Sequence, residues 1–523
     1  MDGTKENAGL SLLKKGQKGI VRLLFSRAGL ILALLLVQVL FLLSIFLWFR
    51  EFLPHIYGGS ILFTLVMVLY LLNSSIDPSA KLTWLAVILL LPVFGSLLFL
   101  YIQSDVGHRT LKKRVQTVLE ETDDLVSPSP GAEEALTAAC PGAAALARYI
   151  RKSGCYPVFR STDVTYFPLG EDKFEEMLRQ LEAAQHFIFL EYFIVDEGLM
   201  WGRVLEILAR KAAAGVEVRV MYDGTCEFST LPHDYPKRLE QLGIRCKMFA
   251  PVTPFVSTHY NYRDHRKILV IDGHTAFNGG VNLADEYINR REKHGHWKDT
   301  AVMVRGEAAR SFTLMFLQMW ALDEKTTDFA PYLQPPAPVE APGFVLPYGD
   351  CPVDKAKVGE LVYMDLLNRA QDHVYIMTPY LILDGEMETA LRFAAERGVD
   401  VRLILPGVPD KKLPYALAWT HYAALLAAGV KLYEYTPGFV HAKVFVCDGR
   451  EAVVGTINLD YRSLYHHFEC ATYLYGTACI PAIEADFLQT QQQCRAITPA
   501  LVRQAPRSRQ MLGILMKGLA PLM

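Results

Sequence analysis

The sequence carries almost no net charge: 53 Lys and Arg stand against 55 Asp and Glu, for a formal charge of −2. A polynucleotide binder held by phosphate contacts shows a strong basic excess, so nucleic-acid partners are disfavoured and any phosphate-binding charge must be local. The sequence also lacks a C-x-x-C pair and a His at zinc-finger spacing, and its nine Cys are odd in number and scattered. Free, mostly core thiols are expected, which excludes a disulfide scaffold and a Cys-ligated zinc site and favours a reducing compartment. No clustered Asp/Glu set of the kind that binds Mg²⁺ is present, so neither metal nor cofactor is expected in the chemistry. At 523 residues, 51% hydrophobic and 21% charged, the chain is too long for one core and too polar for a polytopic transporter. A membrane-anchored globular protein remains.

Most of the apolar excess lies before Asp105. Behind a basic tail, 1–27, the uncharged runs 28–49, 56–72 and 82–102 read as membrane spans of a module covering 28–105. The first run is too long for a cleaved signal peptide and has no small-residue cleavage site. Basic residues flank both ends of the module, Lys14, Lys15, Lys18, Arg22 and Arg27 on one side and Arg109, Lys112, Lys113 and Arg114 on the other. An odd number of spans puts these clusters on opposite sides of the membrane, so the positive-inside bias leaves the orientation open.

A linker or helix over 106–140 leads into a chain that repeats. Ala212-Ala213-Ala214-Gly215-Val216-Glu217-Val218-Arg219-Val220 returns as Ala395-Glu396-Arg397-Gly398-Val399-Asp400-Val401-Arg402-Leu403. In each copy a helix ends at Gly and a β-branched strand follows, the grammar of αβ units in a mostly parallel sheet. Ahead of each stand an apolar strand, 187–195 or 374–383, and an amphipathic helix, marked by Phe174, Met177, Leu178 and Leu181 or by Tyr363, Leu366, Leu367 and Ala370. Six prolines over 331–347 mark the seam. The expected domains are therefore 141–335 and 336–500, followed by a basic and apolar tail, 501–523.

Each half then carries the same polar signature. His265-x-Lys267-x4-Asp272-x6-Gly279-Gly280-x-Asn282 matches His441-x-Lys443-x4-Asp448-x6-Gly455-Thr456-x-Asn458 in every spacing. One copy would be a weak motif, but two copies at matching places are a strong one. On a strand, positions i and i+2 share a face, which sets His265 beside Lys267 and His441 beside Lys443. Asp272-Gly273 and Asp448-Gly449 read as tight turns, where the Asp residues brace backbone. An isolated buried His is more often a structural residue than a catalytic one; a Lys on the same face, in duplicate, reverses that preference. Two His, two Lys and two Asn converging from matching halves supply what phosphoryl transfer needs. Lys267, Lys443, Asn282 and Asn458 neutralise and orient the non-bridging oxygens, one His attacks phosphorus and the other protonates the leaving oxygen.

These residues resemble the phospholipase D superfamily, whose paired His-Lys-Asp motifs build one active site, and within it the bacterial cardiolipin synthases. Asn73 to Trp84 with Leu91 to Gly95 is similar to that family's amino-terminal membrane module. Asn261 to Lys267, Phe277 to Tyr287, and Trp297-Lys298-Asp299-Thr300 are similar to its first-half signatures, and Gly455 to Ser463 to its second. The resemblance implies an α/β fold of two pseudo-symmetric αβ domains sharing one active site, preceded by transmembrane helices in a bacterial plasma membrane. Catalytic roles fall by it on His265, Lys267, Asp272, His441, Lys443 and Asp448, and substrate-binding or orienting roles on Asn282, Asn458 and Thr456. Asp299 and Glu469 are implied as the carboxylates that fix the imidazole tautomers.

Symmetry leaves the nucleophile open. The approach residues 259–264 resemble the half that takes the covalent group in relatives, which makes His265 the nucleophile and His441 the acid and then base. The implied reaction joins two phosphatidylglycerols into cardiolipin and glycerol, with anionic phospholipid and the bilayer as partners. A phospholipase or nuclease using water as acceptor, and a membrane scaffold with a degenerate site, are the alternatives. Two departures stand out: His467, where the family usually has Asn, and the additional amino-terminal span.

Overall fold

Prolines decide the shape of the amino-terminal segment. The computed structural model describes residues 53–74, 76–103, 109–154, 156–250, 262–324, 326–354 and 356–520, together with Leu36, Val39, Leu40 and Leu43. One helix runs Leu53–Asn73, a second Pro78–Leu90 and a third Pro92–Gln103. Asp77 caps the second by accepting from the Ser79 and Ala80 amides, with Pro78 in its first turn. The expected span 82–102 is therefore not one rod. Pro92 lacks the N–H that would continue the ladder, and Leu91 leaves helical geometry with φ −132° and ψ 71°. The third helix then packs closely on the second because residue 95 is glycine: a Cβ there would lie 2.6 Å from the Val87 carbonyl oxygen.

The run 56–72 falls inside the first of these helices. Among the described residues no helix is long and apolar enough to cross a membrane. The expected span 28–49 lies outside the described residues apart from the four named above, as do 1–27 and 521–523. Met67, Leu71, Trp84, Ile88 and Phe99 form a small core, with the Trp84 and Phe99 rings 5.3 Å apart. Outside that core Ile61, Leu62, Leu65, Leu82 and Leu90 are each more than half exposed.

A second compact unit, which includes Leu111–Pro251 and Asn261–Ile514, holds both halves of the repeat. The first half supplies β1 (Thr162–Phe167), β2 (Phe187–Tyr192), β3 (Glu217–Asp223), β4 (Arg245–Phe249), β5 (Arg263–Asp264), β6 (Lys267–Ile271), β7 (Thr275–Gly279), β8 (His296–Lys298) and β9 (Ala301–Gly306). The second supplies β10 (Phe344–Asp350), β11 (His373–Met377), β12 (Asp400–Pro406), β13 (Lys431–Tyr435), β14 (Gly438–Val440), β15 (Val444–Cys447), β16 (Glu451–Gly455), β17 (His467–Tyr475) and β18 (Cys494–Ile497). Strand order is β1-β9-β7-β6-β2-β3-β4 in one sheet and β10-β17-β16-β15-β11-β12-β13-β18 in the other. The orders superimpose strand for strand, with β18 added at one edge.

Neither sheet is mostly parallel, which corrects the expectation. Within the two strand orders β2-β3-β4 and β11-β12-β13 run parallel, joined through helices such as Leu199–Ala213 and Gly385–Glu396. The β6-β7 and β15-β16 hairpins and the strands beyond them are antiparallel. The αβ grammar governs the parallel part, and tight turns at Asp272-Gly273 and Asp448-Gly449 govern the rest. Ile268, Val270 and Val302 of the first sheet share one buried cluster with Val444, Val446 and Tyr473 of the second. The described cysteines are free, with Cys226, Cys246, Cys447, Cys470 and Cys479 buried.

Candidate active site

Each motif sits where its strand changes partner. β5 pairs in parallel with the start of β17 in the other half, and β6 then joins its own sheet, so His265 and Arg266 bridge two pairings. The second half mirrors this: β14 pairs in parallel with β8, and β15 returns to its own sheet. The His265 amide donates to the Phe468 carbonyl at 2.9 Å, and the His441 amide to that of Lys298 at 2.7 Å. The imidazoles thus stand just before β6 and β15, on the segments that join the halves.

That crossing gives each imidazole a carboxylate from the opposite half. His265 Nδ1 lies 2.9 and 3.0 Å from the Glu469 carboxylate oxygens, and His441 Nδ1 lies 2.7 Å from Asp299 Oδ2. A hydrogen on each Nδ1 fixes the tautomer and leaves Nε2 for chemistry. Glu469 is held in turn by the Thr456 hydroxyl and by Ser463 Oγ at 2.7 Å; Asp299 accepts from the Thr300 amide at 2.8 Å. Thr456 has no hydroxyl counterpart in the first half, where Gly280 occupies its place. A Cβ on Gly280 would lie 2.1 Å from Asp299 Oδ1, so the small residue admits the carboxylate.

Charge is concentrated and buried here. Lys267 Nζ donates to the His265 carbonyl at 2.5 Å, and Lys443 Nζ donates to the His441 carbonyl while lying 2.9 Å from His441 Nδ1. Burial brings Lys267 down to about 8 and Lys443 to about 7, opposed chiefly by Glu469 and Asp299 respectively. Burial, then Lys267, Lys443 and His441, holds His265 well below its ordinary value; burial and Lys443 push His441 down to about 4. Asp299 is held below the carboxylate range: burial works against this, but His441 and Lys443 outweigh it. Both imidazoles are therefore neutral before substrate enters, and an anion between the lysines would draw a proton back onto one of them. Aromatic rings frame the pair, Phe193 at 4.9 Å from His265 and Tyr287, Trp297 and Phe439 at 5.3, 5.6 and 5.9 Å from His441.

Other expected site residues lie outside this cluster or serve it indirectly. Asp272 and Asp448 are at the far ends of β6 and β15, which removes them from the catalytic set. Asp272 accepts from the amides of Gln185, His186 and Phe187, and Asp448 from those of Gln371, Asp372 and His373, all at 2.7–2.9 Å. Asn282 spends its amide on the Ile194 N–H and the Tyr287 hydroxyl, whereas Asn458 keeps a buried Oδ1 without a partner. Ser463, Phe193 and Phe439 were not singled out from sequence. Ser463 lies inside the second-half signature, but Phe193 and Phe439 carry no local signal.

Two sheets of one topology, each supplying a His-x-Lys pair and steadying the other's imidazole, define a two-lobed enzyme of the phospholipase D type. A family described as cardiolipin synthase, PLD-like domain, matches residues 177–320 and 363–491, and one described as phospholipase D-nuclease N-terminal matches 62–102. The chain is 57% identical over 461 residues to an uncharacterized protein of Streptococcus mutans, covering 87% of this chain and 99% of that one. It is 36% identical over 437 residues to a cardiolipin synthase of Geobacillus kaustophilus, covering 82% and 86%. To a cardiolipin synthase of Alkalihalophilus pseudofirmus it is 32% identical over 482 residues, covering 91% and 95%. Its fold is similar to a phosphatidylserine synthase of Haemophilus influenzae, with TM-score 0.54 at 16% identity over 69% of this chain and 93% of that one. The chain belongs to the cardiolipin synthase family of the phospholipase D superfamily.

Proposed function

We propose that the protein transfers a phosphatidyl group from one phosphatidylglycerol to the terminal hydroxyl of another, giving cardiolipin and glycerol. The observation that carries this reading is the exchange of carboxylates between halves, which leaves two oriented imidazoles with Nε2 available beside two buried ammonium groups. His265 Nε2 attacks phosphorus, and the glycerol oxygen leaves with a proton from His441 Nε2. The product of this step is a phosphatidyl-histidine. His441, now neutral, takes the proton of the second lipid's hydroxyl as that oxygen attacks phosphorus, which releases His265. Lys267 and Lys443 balance charge on the non-bridging oxygens. Asn458, with an acceptor to spare, suits a substrate hydroxyl.

The apolar helices over 53–103 fit a bilayer setting, since so large an exposed apolar surface is unfavourable in water. We read this segment, with the run 28–49, as the anchor that holds the enzyme at the bacterial plasma membrane. The assay is direct: purified protein with phosphatidylglycerol in mixed micelles, products followed by mass spectrometry. Cardiolipin and glycerol in equal amounts are expected, with turnover abolished by His265→Ala or His441→Ala. Phosphatidic acid as the main product would make the enzyme a hydrolase.

A further inference from the structure

His467 stands beside the first-half site with a nitrogen to spare. Its ring is 9% exposed and its centroid lies 5.3 Å from that of His265. Its Nδ1 has no hydrogen-bond partner and sits 3.6 Å from Glu469 Oε1, too far to donate. His265 Nδ1 is 2.9 Å from the same oxygen. Two imidazole nitrogens and a carboxylate oxygen thus lie within 4.8 Å of one another, all buried. Zn²⁺ bonds of ~2.0–2.1 Å place tetrahedral ligands about 3.3 Å apart, so shifts of about an ångström close the set. The second half offers no equivalent, because Trp297 occupies the place two residues before Asp299 that His467 occupies before Glu469.

We propose that His265, His467 and Glu469 form an inhibitory site for a zinc-class divalent cation. The inhibition rests on the proposed role of His265; the binding does not. A metal on His265 Nδ1 takes that lone pair, and the one hydrogen of the neutral ring moves to Nε2. Nε2 then has no lone pair to offer phosphorus. The Lys267 ammonium opposes the added cation and weakens its binding, as suits a site that responds to metal excess.

The test uses the full chain in detergent, stripped with chelator and titrated with Co²⁺ and then Zn²⁺. One equivalent of Co²⁺ should bind with visible bands of nitrogen and oxygen ligation and no thiolate charge transfer, and Zn²⁺ should displace it. Zn²⁺ should also stop transfer, with EDTA restoring it. His467→Asn should weaken binding at least 30-fold and remove the inhibition in parallel, while turnover without metal is kept. His467→Gln gives the same comparison should the Asn variant not fold. A thiolate band with unchanged inhibition in both variants would put the metal on cysteine and overturn the proposal, as would no Co²⁺ binding below about 1 mM. Co²⁺ spectra need no turnover, so a protein that binds the metal through His467 yet makes no cardiolipin would sink the transfer reading alone.

Discussion

At the residue scale, the two imidazoles depend on groups far away in the chain. Glu469 is 204 residues from His265 and Asp299 is 142 from His441. Asp299→Asn keeps an acceptor but removes the charge that stabilises the protonated ring, so kcat should fall by about 10²-fold or more with KM little changed. Gly280→Ala should produce a similar loss, because its Cβ displaces the same carboxylate. Wild-type kcat in either variant would separate Asp299 from catalysis. The pH dependence of stability follows from His441, whose folded value is pushed down to about 4 against ~6.5 unfolded. The unfolded chain takes the proton first as pH falls, so stability is full above ~6.5 and is lost toward 4, by about 3 kcal/mol for this group. Thermal melts from pH 7 to 4 should show the decline, and His441→Gln should lessen it, the remainder coming from His265 and His467, whose rings burial also holds below their ordinary value. His265 and Lys267 were legible because both lie in one short, duplicated motif. The pairing of carboxylates across the halves was not, because it depends on β5 and β14 leaving their own sheets.

At the scale of elements, the duplicated Asp residues work on backbone. Asp272 and Asp448 occupy left-handed positions, φ 51° and 50°, and each gathers three amides at the start of β2 or β11. Asp272→Ala removes the carboxylate that accepts from all three amides and sets Ala in a strained conformation, a loss of about 2–3 kcal/mol. Chemical unfolding should register that loss, and turnover per folded molecule should stay within about 3-fold of wild type. A collapse of kcat with unchanged stability would return Asp272 to the catalytic set. The repeat itself was readable from helix-Gly-strand spacing, and Gly215 and Gly398 do sit at φ 92° and 97°. What periodicity could not supply was strand direction. Apolar runs such as β6 and β15 are buried in either sense, and only the turn after Asp272 or Asp448 makes them antiparallel. The break at Pro92 was in plain view, and hydropathy averaged over it.

At the scale of the whole molecule, the carboxyl-terminal helix Arg507–Lys517 bears on how the enzyme meets lipid. One face docks: a Cβ on Gly513 would lie 2.6 Å from the Ala416 carbonyl oxygen, and the Arg509 guanidinium lies 5.2 and 4.7 Å from the Tyr415 and Trp419 ring centroids. The other face is free, with Met511, Ile514 and Leu515 each about two-thirds exposed among Arg507 and Lys517. Apolar side chains beside basic ones fit an interfacial helix, where each basic group near an anionic surface contributes ~1 kcal/mol. Deleting the helix would confuse the two roles, since Trp419 would lose its cover. Replacing Met511, Ile514 and Leu515 together by Ser leaves Gly513 and Arg509 in place and alters only the free face. Melting temperature and turnover on a short-chain soluble phosphatidylglycerol should be kept. Turnover on anionic vesicles should fall at least 10-fold, with a matching loss of vesicle association in flotation. Equal activity on both substrates would leave the helix a packing element and place the lipid-facing role on 53–103 alone.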